Sequence, residues 1–224
     1  MKTKKKLKND YVHIAVILDR TGSMQDIRDD TIGGFNAFLK QQKAEPGQAT
    51  LTLVQFDSQD PYEVVHQFMP LSEVPELTRE TFVPRASTPL LDAMGRGIND
   101  LEESLDKLPA KTRPGRVIMV VITDGQENAS CEFSKGQVEK MIKAKQKKDD
   151  WQFVFLSADL AAIGDALKSG VHAASAMSFD KTAEGTAHAW LSTSARIADF
   201  RSARCQSVAF SEEDRNNQAS EKKR

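Results

Sequence analysis

The chain alternates between short apolar runs and longer segments with a helical period. From Val12 to Leu18 nearly every residue is β-branched or aliphatic, and only His13 interrupts the run mildly. Unbroken apolarity of this length predicts a strand covered on both faces of a parallel sheet. Val117–Thr123 (VIMVVIT) is a second strand of that kind. Thr50–Phe56 (TLTLVQF) and Tyr62–Phe68 (YEVVHQF) are separated only by Asp57–Pro61, too short for a crossover helix. They are therefore expected to pair antiparallel, the second at the sheet edge, where Glu63, His66 and Gln67 are tolerated. Trp151–Leu156 and a short Ala176–Phe179 bring the number of strands to roughly six.

Between these runs, Met24, Ile27, Thr31, Phe35, Phe38 and Leu39 recur at three- and four-residue steps, predicting an amphipathic helix. Gly33-Gly34 weakens it by about 1 kcal/mol per glycine relative to alanine, so a kink or a close packing contact is expected there. Leu91, Met94, Ile98, Leu101, Leu105 and Leu108 form the cleanest helical period, too short for a coiled-coil seam. Ser134 and Gln137 form a capping box ahead of Val138, Met141 and Ile142, with lysines on the opposite, solvent-facing side. A short helix carries Leu160, Ile163 and Leu167 and closes at Gly170; another carries Trp190, Leu191, Ser194, Ile197 and Ala198. Strands alternating with helices predict an α/β fold, a three-layer α/β/α sandwich whose mostly parallel central sheet has one antiparallel edge strand. The expected organisation is a lysine-rich flexible tail over 1–10, one domain over 11–204 and a polar, disordered tail over 205–224.

Composition narrows the function classes. A formal net charge of −1 argues against nucleic-acid binding by bulk electrostatics. No apolar run approaches the roughly 20 residues of a membrane span, and the lysine-rich start lacks a small-residue cleavage site. Cys131 and Cys205 are too few for a disulfide framework or a zinc site. A cytoplasmic protein is the expectation.

The chemistry gathers at two strand ends. Asp19 closes the first strand and is followed by Thr21, Gly22 and Ser23; Asp124-Gly125 closes the Val117 strand. In open α/β sheets ligands bind outside the carboxyl ends of strands where strand order reverses, so the two acids are expected to face one ion. Thr88, in a loop running into a helix, can add a third hydroxyl. Carboxylate and hydroxyl oxygens suit a hard cation such as Mg²⁺. Singly, each has a plainer reading: Asp19, Ser23 and Thr88 as helix caps and Asp124 as the start of a turn. The set of five is what carries the signal. His13 and His188 fall in core or helix positions, so residue types alone do not make a Ser/His/Asp triad.

Asp19-Arg-Thr21-Gly-Ser23, Thr88 and Asp124 together resemble the metal-ion-dependent adhesion site of von Willebrand factor A domains, Asp-x-Ser-x-Ser followed by a Thr and an Asp. Two departures stand out. Thr21 occupies a position where the family usually has Ser, and Ala86-Ser87 precedes Thr88 where many members have Gly, making Ser87 the competing hydroxyl. The resemblance implies the three-layer fold and Mg²⁺ or Mn²⁺ on Asp19, Thr21, Ser23, Thr88 and Asp124. It further implies that an acidic side chain of a partner protein completes the coordination, in a binding module rather than an enzyme. Met24-Gln25-Asp26 and Gln126-Glu127-Asn128 would then form the rim that selects the partner.

Asp19-Arg-Thr-Gly-Ser also resembles the Asp-Lys-Thr-Gly-Thr motif of the haloacid-dehalogenase superfamily, which implies Mg²⁺-dependent phosphotransfer with Asp19 as nucleophile. Arg20 replaces that motif's lysine, and the later acidic motif lacks its second acid. A third reading, an adaptor subunit of an ATP-driven machine, is not separable from the first by sequence; no Gly-Lys-Ser/Thr phosphate loop is present.

Overall fold

All eight residues of Val12–Asp19 are buried, and this strand, β1, forms the spine of the molecule. The structure, a computed structural model, describes residues 10–219. Residues 1–9 of the expected basic tail, and 220–224 at the other end, lie outside the described residues. Parallel partners flank β1: β2 (Ala49–Phe56) on one side and β4 (Arg116–Thr123) on the other. The sheet order is β3-β2-β1-β4-β5-β6, with β3 (Glu63–Pro70) antiparallel to β2 at one edge and β5 (Gln152–Ser157) and β6 (Ala176–Ser178) parallel at the other. The expected sandwich with one antiparallel edge strand is the observed fold.

Alternation along β1 divides the core between the sheet's two faces. Val12, Ile14, Val16 and Leu18 pack with Phe35, Phe38 and Leu39 of α1 (Arg28–Ala44) and with Trp190 and Ile197 of α5 (Ala183–Arg201). Ala15 and Ile17 face α2 (Leu90–Lys107), α3 (Lys135–Asp149) and α4 (Leu160–Lys168). Each such aliphatic or aromatic side chain stabilises the fold by about 1.5–3 kcal/mol when fully buried. The capping box at Ser134 forms as expected. Among the described residues no helix is long and apolar enough to cross a membrane.

The Gly33-Gly34 pair acts through close packing. A Cβ on Gly34 would lie 2.0 Å from the Trp190 ring, whereas one on Gly33 would meet nothing within 4 Å. Trp190 in turn stands edge-on to Phe35 at 5.7 Å. Gly34 thus lets α1 and α5 approach. The predicted first helix begins later than its period implies, because Gly22–Ile27 winds as a tighter 3-10 turn. That turn buries Met24 in the core, so Met24 is not part of a binding rim.

The C-terminal segment differs from expectation. Instead of disorder, residues 205–219 include buried Val208 and Phe210 and a helix, α6 (Glu212–Ala219). Ser211 and Asp214 cap its start reciprocally, at 2.7 Å from the Ser211 amide to Asp214 and 3.1 Å from the Asp214 amide to Ser211. Arg215 donates to the carbonyls of Ala173, Ala174 and Ala176, and Gln218 to that of Gly185. Polar side chains bonded to another segment's backbone hold this helix, a mode that hydropathy does not register.

His13 lies in the sheet beneath a bulge of β3. Its ring stacks on Phe68 with centroids 4.0 Å apart, and its Nδ1 is 2.8 Å from the Thr50 hydroxyl. Burial pushes this imidazole down to about 3. A folded-state pKa below the unfolded value of about 6.5 means stability is lost as pH falls from there. The wild type should therefore lose stability to a His13→Phe variant by up to about 1.4 kcal/mol per pH unit below pH 6, read by urea unfolding across pH 4 to 7. Gly34→Ala should destabilise by about 1–3 kcal/mol through overpacking against Trp190, while Gly33→Ala should gain up to about 1 kcal/mol, both measured by thermal melts.

Candidate metal centre

The register of β1 and β4 brings the site together. Leu18 pairs with Ile122, so the following residues, Asp19 and Thr123, are neighbours at the carboxyl ends of two central strands. The Thr123 hydroxyl donates to Asp19 Oδ2 at 2.5 Å, and the Thr21 amide donates to Oδ1 at 2.7 Å. The 3-10 turn then carries Ser23 across to β4, where its hydroxyl donates to Asp124 Oδ1 at 2.6 Å. Thr21 and Ser23 hydroxyls are 3.2 Å apart. Asp19, Thr21, Ser23 and Asp124 are therefore joined by one run of hydrogen bonds, through the Thr21 amide and the Thr21 and Ser23 hydroxyls, across the point where strand order reverses.

Thr88 arrives on a loop tied to both strand ends. The Gly22 amide donates to Ala86 O at 3.0 Å and the Arg85 amide to Arg20 O at 2.9 Å. Asn128 clamps Thr88 itself, accepting from its amide at 2.8 Å and donating to its carbonyl at 3.0 Å. Thr88 is buried, whereas Ser87 is exposed with its amide and carbonyl both bonded to Ser58. Ala86 adopts a left-handed φ of 59°, a conformation glycine takes without cost.

No protein-family model matches the sequence, and no curated protein resembles it closely enough to count as a relative. Solved structures do match in fold. A von Willebrand factor type A protein from Catenulispora acidiphila superposes with a TM-score of 0.58 at 13% identity over 84% of this chain and 43% of that one. The pilus adhesin SpaC from Lactobacillus rhamnosus GG gives 0.62 at 12% identity over 84% and 30%. Manganese-loaded TRAP protein from Plasmodium vivax gives 0.52 at 14% identity over 77% and 70%. The fold is that of a von Willebrand factor A domain. This chain spans less than half the length of the first two of these proteins.

Within this von Willebrand-type fold the donor set suits a hard cation. Among the described residues no group of three or more His, Cys, Asp or Glu is arranged to hold a metal. The centre offers two carboxylates with neutral hydroxyls, a set that oxygen-seeking divalent ions accept and zinc does not favour. Its electrostatics call for positive charge. Burial pushes Asp19 up to about 6; the hydrogen bonds from Thr123 and Thr21 oppose that, and the nearby charge of Asp124 adds to it. Asp124 has a cationic partner that sequence reasoning missed. Lys181, in the loop between β6 and α5, places Nζ 2.8 Å from Asp124 Oδ2, and donates to Ser23 O at 2.7 Å and Asp26 Oδ2 at 3.4 Å. Burial pulls this ammonium down, but Asp124 and Asp26 outweigh it and hold the group above the ordinary lysine range.

Other neighbours change the expected picture. Glu127 is turned inward, accepting from the amides of Leu91, Ala129 and Ser130. Arg20, in the motif itself, points away to Asp57 at 2.8 Å and to Glu63. Asp57 also receives Arg85 at 2.9 Å. Burial would raise the Asp57 carboxyl, but Arg85, the Asp60 and Gln59 amides and Arg20 together hold it below the usual range. In sequence Thr123 reads as the last residue of an apolar strand, and Lys181 as a loop lysine 158 positions from Ser23.

Asp19's raised pKa makes it a destabilising charge above pH 6 in metal-free protein: its contribution is favourable below about pH 4 and is lost as pH rises through 6. Asp19→Asn should therefore be more stable than wild type in chelator at pH 7.5 by roughly 2–3 kcal/mol, seen as a higher melting point, with the gap closing at pH 4. A lower melting point for the Asn variant at pH 7.5 would contradict desolvation as the dominant effect.

Proposed function

We propose that this domain is a binding module in which Asp19, Thr21, Ser23, Thr88 and Asp124 hold a divalent cation, Mg²⁺ or Mn²⁺, and the cation captures an acidic side chain of a partner protein. The observation that carries this reading is the run of hydrogen bonds from Asp19 through Thr21 and Ser23 to Asp124 at two adjacent strand ends. Two carboxylates supply charge, and neutral hydroxyls leave the ion electrophilic toward a further oxygen. A manganese-loaded protein and a pilus adhesin among the fold neighbours support it. Exposed Ser23, Gln25, Asp26, Ser87 and Gln126 surround the centre and would meet the partner.

The module is proposed to bind and not to catalyse. Phosphotransfer from Asp19 requires approach of phosphorus to a side chain that is fully buried, with both oxygens accepting hydrogen bonds. The motif's own cation, Arg20, is committed to Asp57, and the Lys181 ammonium to Asp124 and Ser23 O. Service as an adaptor subunit in a larger machine is compatible with the same site.

The test is Mn²⁺ titration followed by electron paramagnetic resonance, paired with capture of a ligand library by metal-loaded and chelated protein. Thr88→Ala should weaken Mn²⁺ binding at least about tenfold, Thr88→Ser should restore most of it, and Ser87→Ala should leave it unchanged. Loss on Ser87→Ala with none on Thr88→Ala would transfer the role to Ser87. Silence from all three would remove this loop from the site.

A further inference from the structure

The Lys181 ammonium lies among three oxygens: it ion-pairs with Asp124 Oδ2 at 2.8 Å and donates to Ser23 O at 2.7 Å and to Asp26 Oδ2 at 3.4 Å. Two of these belong to residues that would ligate the metal. The Asp124 carboxylate is fully buried, and its other oxygen already accepts from Ser23. A second cation at Oδ2 must displace the first or share the oxygen against its repulsion.

We propose that Lys181 is a tethered cation that occupies Asp124 in the metal-free protein, competes with the divalent ion for that carboxylate, and thereby sets the metal affinity of the centre. This rests on the metal-site reading above.

The loop backbone is fixed while the side chain has room to leave. The Thr182 amide donates to Asp180 O at 2.8 Å, and the Thr182 hydroxyl accepts from the Gly185 amide at 3.0 Å. A Cβ on Gly185 would fall 2.3 Å from Asp180 O, so the turn tolerates only glycine at its present closeness. Gln218 of α6 accepts from the Asp180 amide at 3.3 Å, so the C-terminal helix braces the same turn. The Lys181 side chain is 32% exposed, with water on one side. A strongly hydrated ammonium on a flexible stem can therefore withdraw to solvent without moving the backbone. Because the competitor is part of the chain, its local concentration is fixed, and the apparent metal affinity is reduced by the fraction of protein in which Asp124 is free of it. Metal entry would place the released ammonium beside the centre, next to Asp26.

The experiment measures Mn²⁺ affinity by electron paramagnetic resonance on the full chain for wild type, Lys181→Met and Lys181→Arg, with melting points in chelator and in Mg²⁺. Lys181→Met keeps the length and removes the charge, and should bind Mn²⁺ at least about tenfold more tightly. In chelator it should melt lower than wild type, and Mg²⁺ should raise its melting point by more than it raises the wild type's. Lys181→Arg keeps the charge and should stay near wild-type affinity. If wild type binds Mn²⁺ and Lys181→Met binds no more tightly, Lys181 is a structural contact and the proposal is wrong. Should Lys181→Met fail to fold, Lys181→Gln replaces it, with the same affinity gain required. If neither wild type nor the variants take up Mn²⁺, the metal-site reading fails and this proposal with it.

Discussion

Two carboxylates buried at the ends of adjacent parallel strands form the constraint that the surrounding loops answer. Asp19 has no exposure, and the Asp124 side chain none either. Each would be strongly disfavoured as an unpaired anion in such a place. The fold meets the cost with hydrogen bonds from Thr123 and the Thr21 amide to Asp19, and with a hydrogen bond from Ser23 and an ion pair with Lys181 for Asp124. Asp19 receives hydrogen bonds only from neutral groups, and burial still wins there. That imbalance makes the centre a place where a cation is favoured.

The same logic of buried charge met by convergent donors recurs around the site and stiffens it. Asp57, at the end of β2, gathers Arg20, Arg85 and the amides of Gln59 and Asp60. Asp92, in the first turn of α2, accepts from the amides of Cys131, Glu132 and Phe133. One carboxylate anchors the loop before α2 to β2, and the other anchors the β4–α3 loop to α2. Thr88 and Asn128 are bonded to each other where these two loops meet. A residue on a loop is thereby tied to both strand ends by hydrogen bonds. Removing either anchoring acid leaves arginines or a row of amides without a partner, which is costlier than the loss of one bond.

Away from the site the molecule depends on close approach of helices to one another and to neighbouring loops. Gly34 against Trp190 allows it on the side of α1 and α5. Gly95 does the same under Phe133, where a Cβ would lie 2.4 Å from the ring, drawing α2 against the loop that leads to α3. The C-terminal helix adds little apolar surface. It reaches the turn carrying Lys181 through Gln218, linking the end of the chain to the candidate centre.

Much of this was legible in one dimension because the causes are local. Continuous apolarity marked β1 and β4 as central, a five-residue connector required the antiparallel edge, and the helical periods located the helices. Asp19, Thr21, Ser23 and Asp124 were readable as a group since each follows the end of an apolar strand, and strand ends of one sheet gather at one edge. Thr88 was readable only as a loop hydroxyl beside Ser87; the fold buries Thr88 and leaves Ser87 exposed. Tertiary structure alone decided the rest. That Arg20 turns to Asp57, that Met24 belongs to the core, that the polar segment after Phe210 forms a capped helix and that Lys181 sits on Asp124 all depend on contacts between segments distant in sequence. Such contacts leave no period or spacing in the chain: a lone lysine in a loop reads as a solvated charge until the fold brings an acid to it.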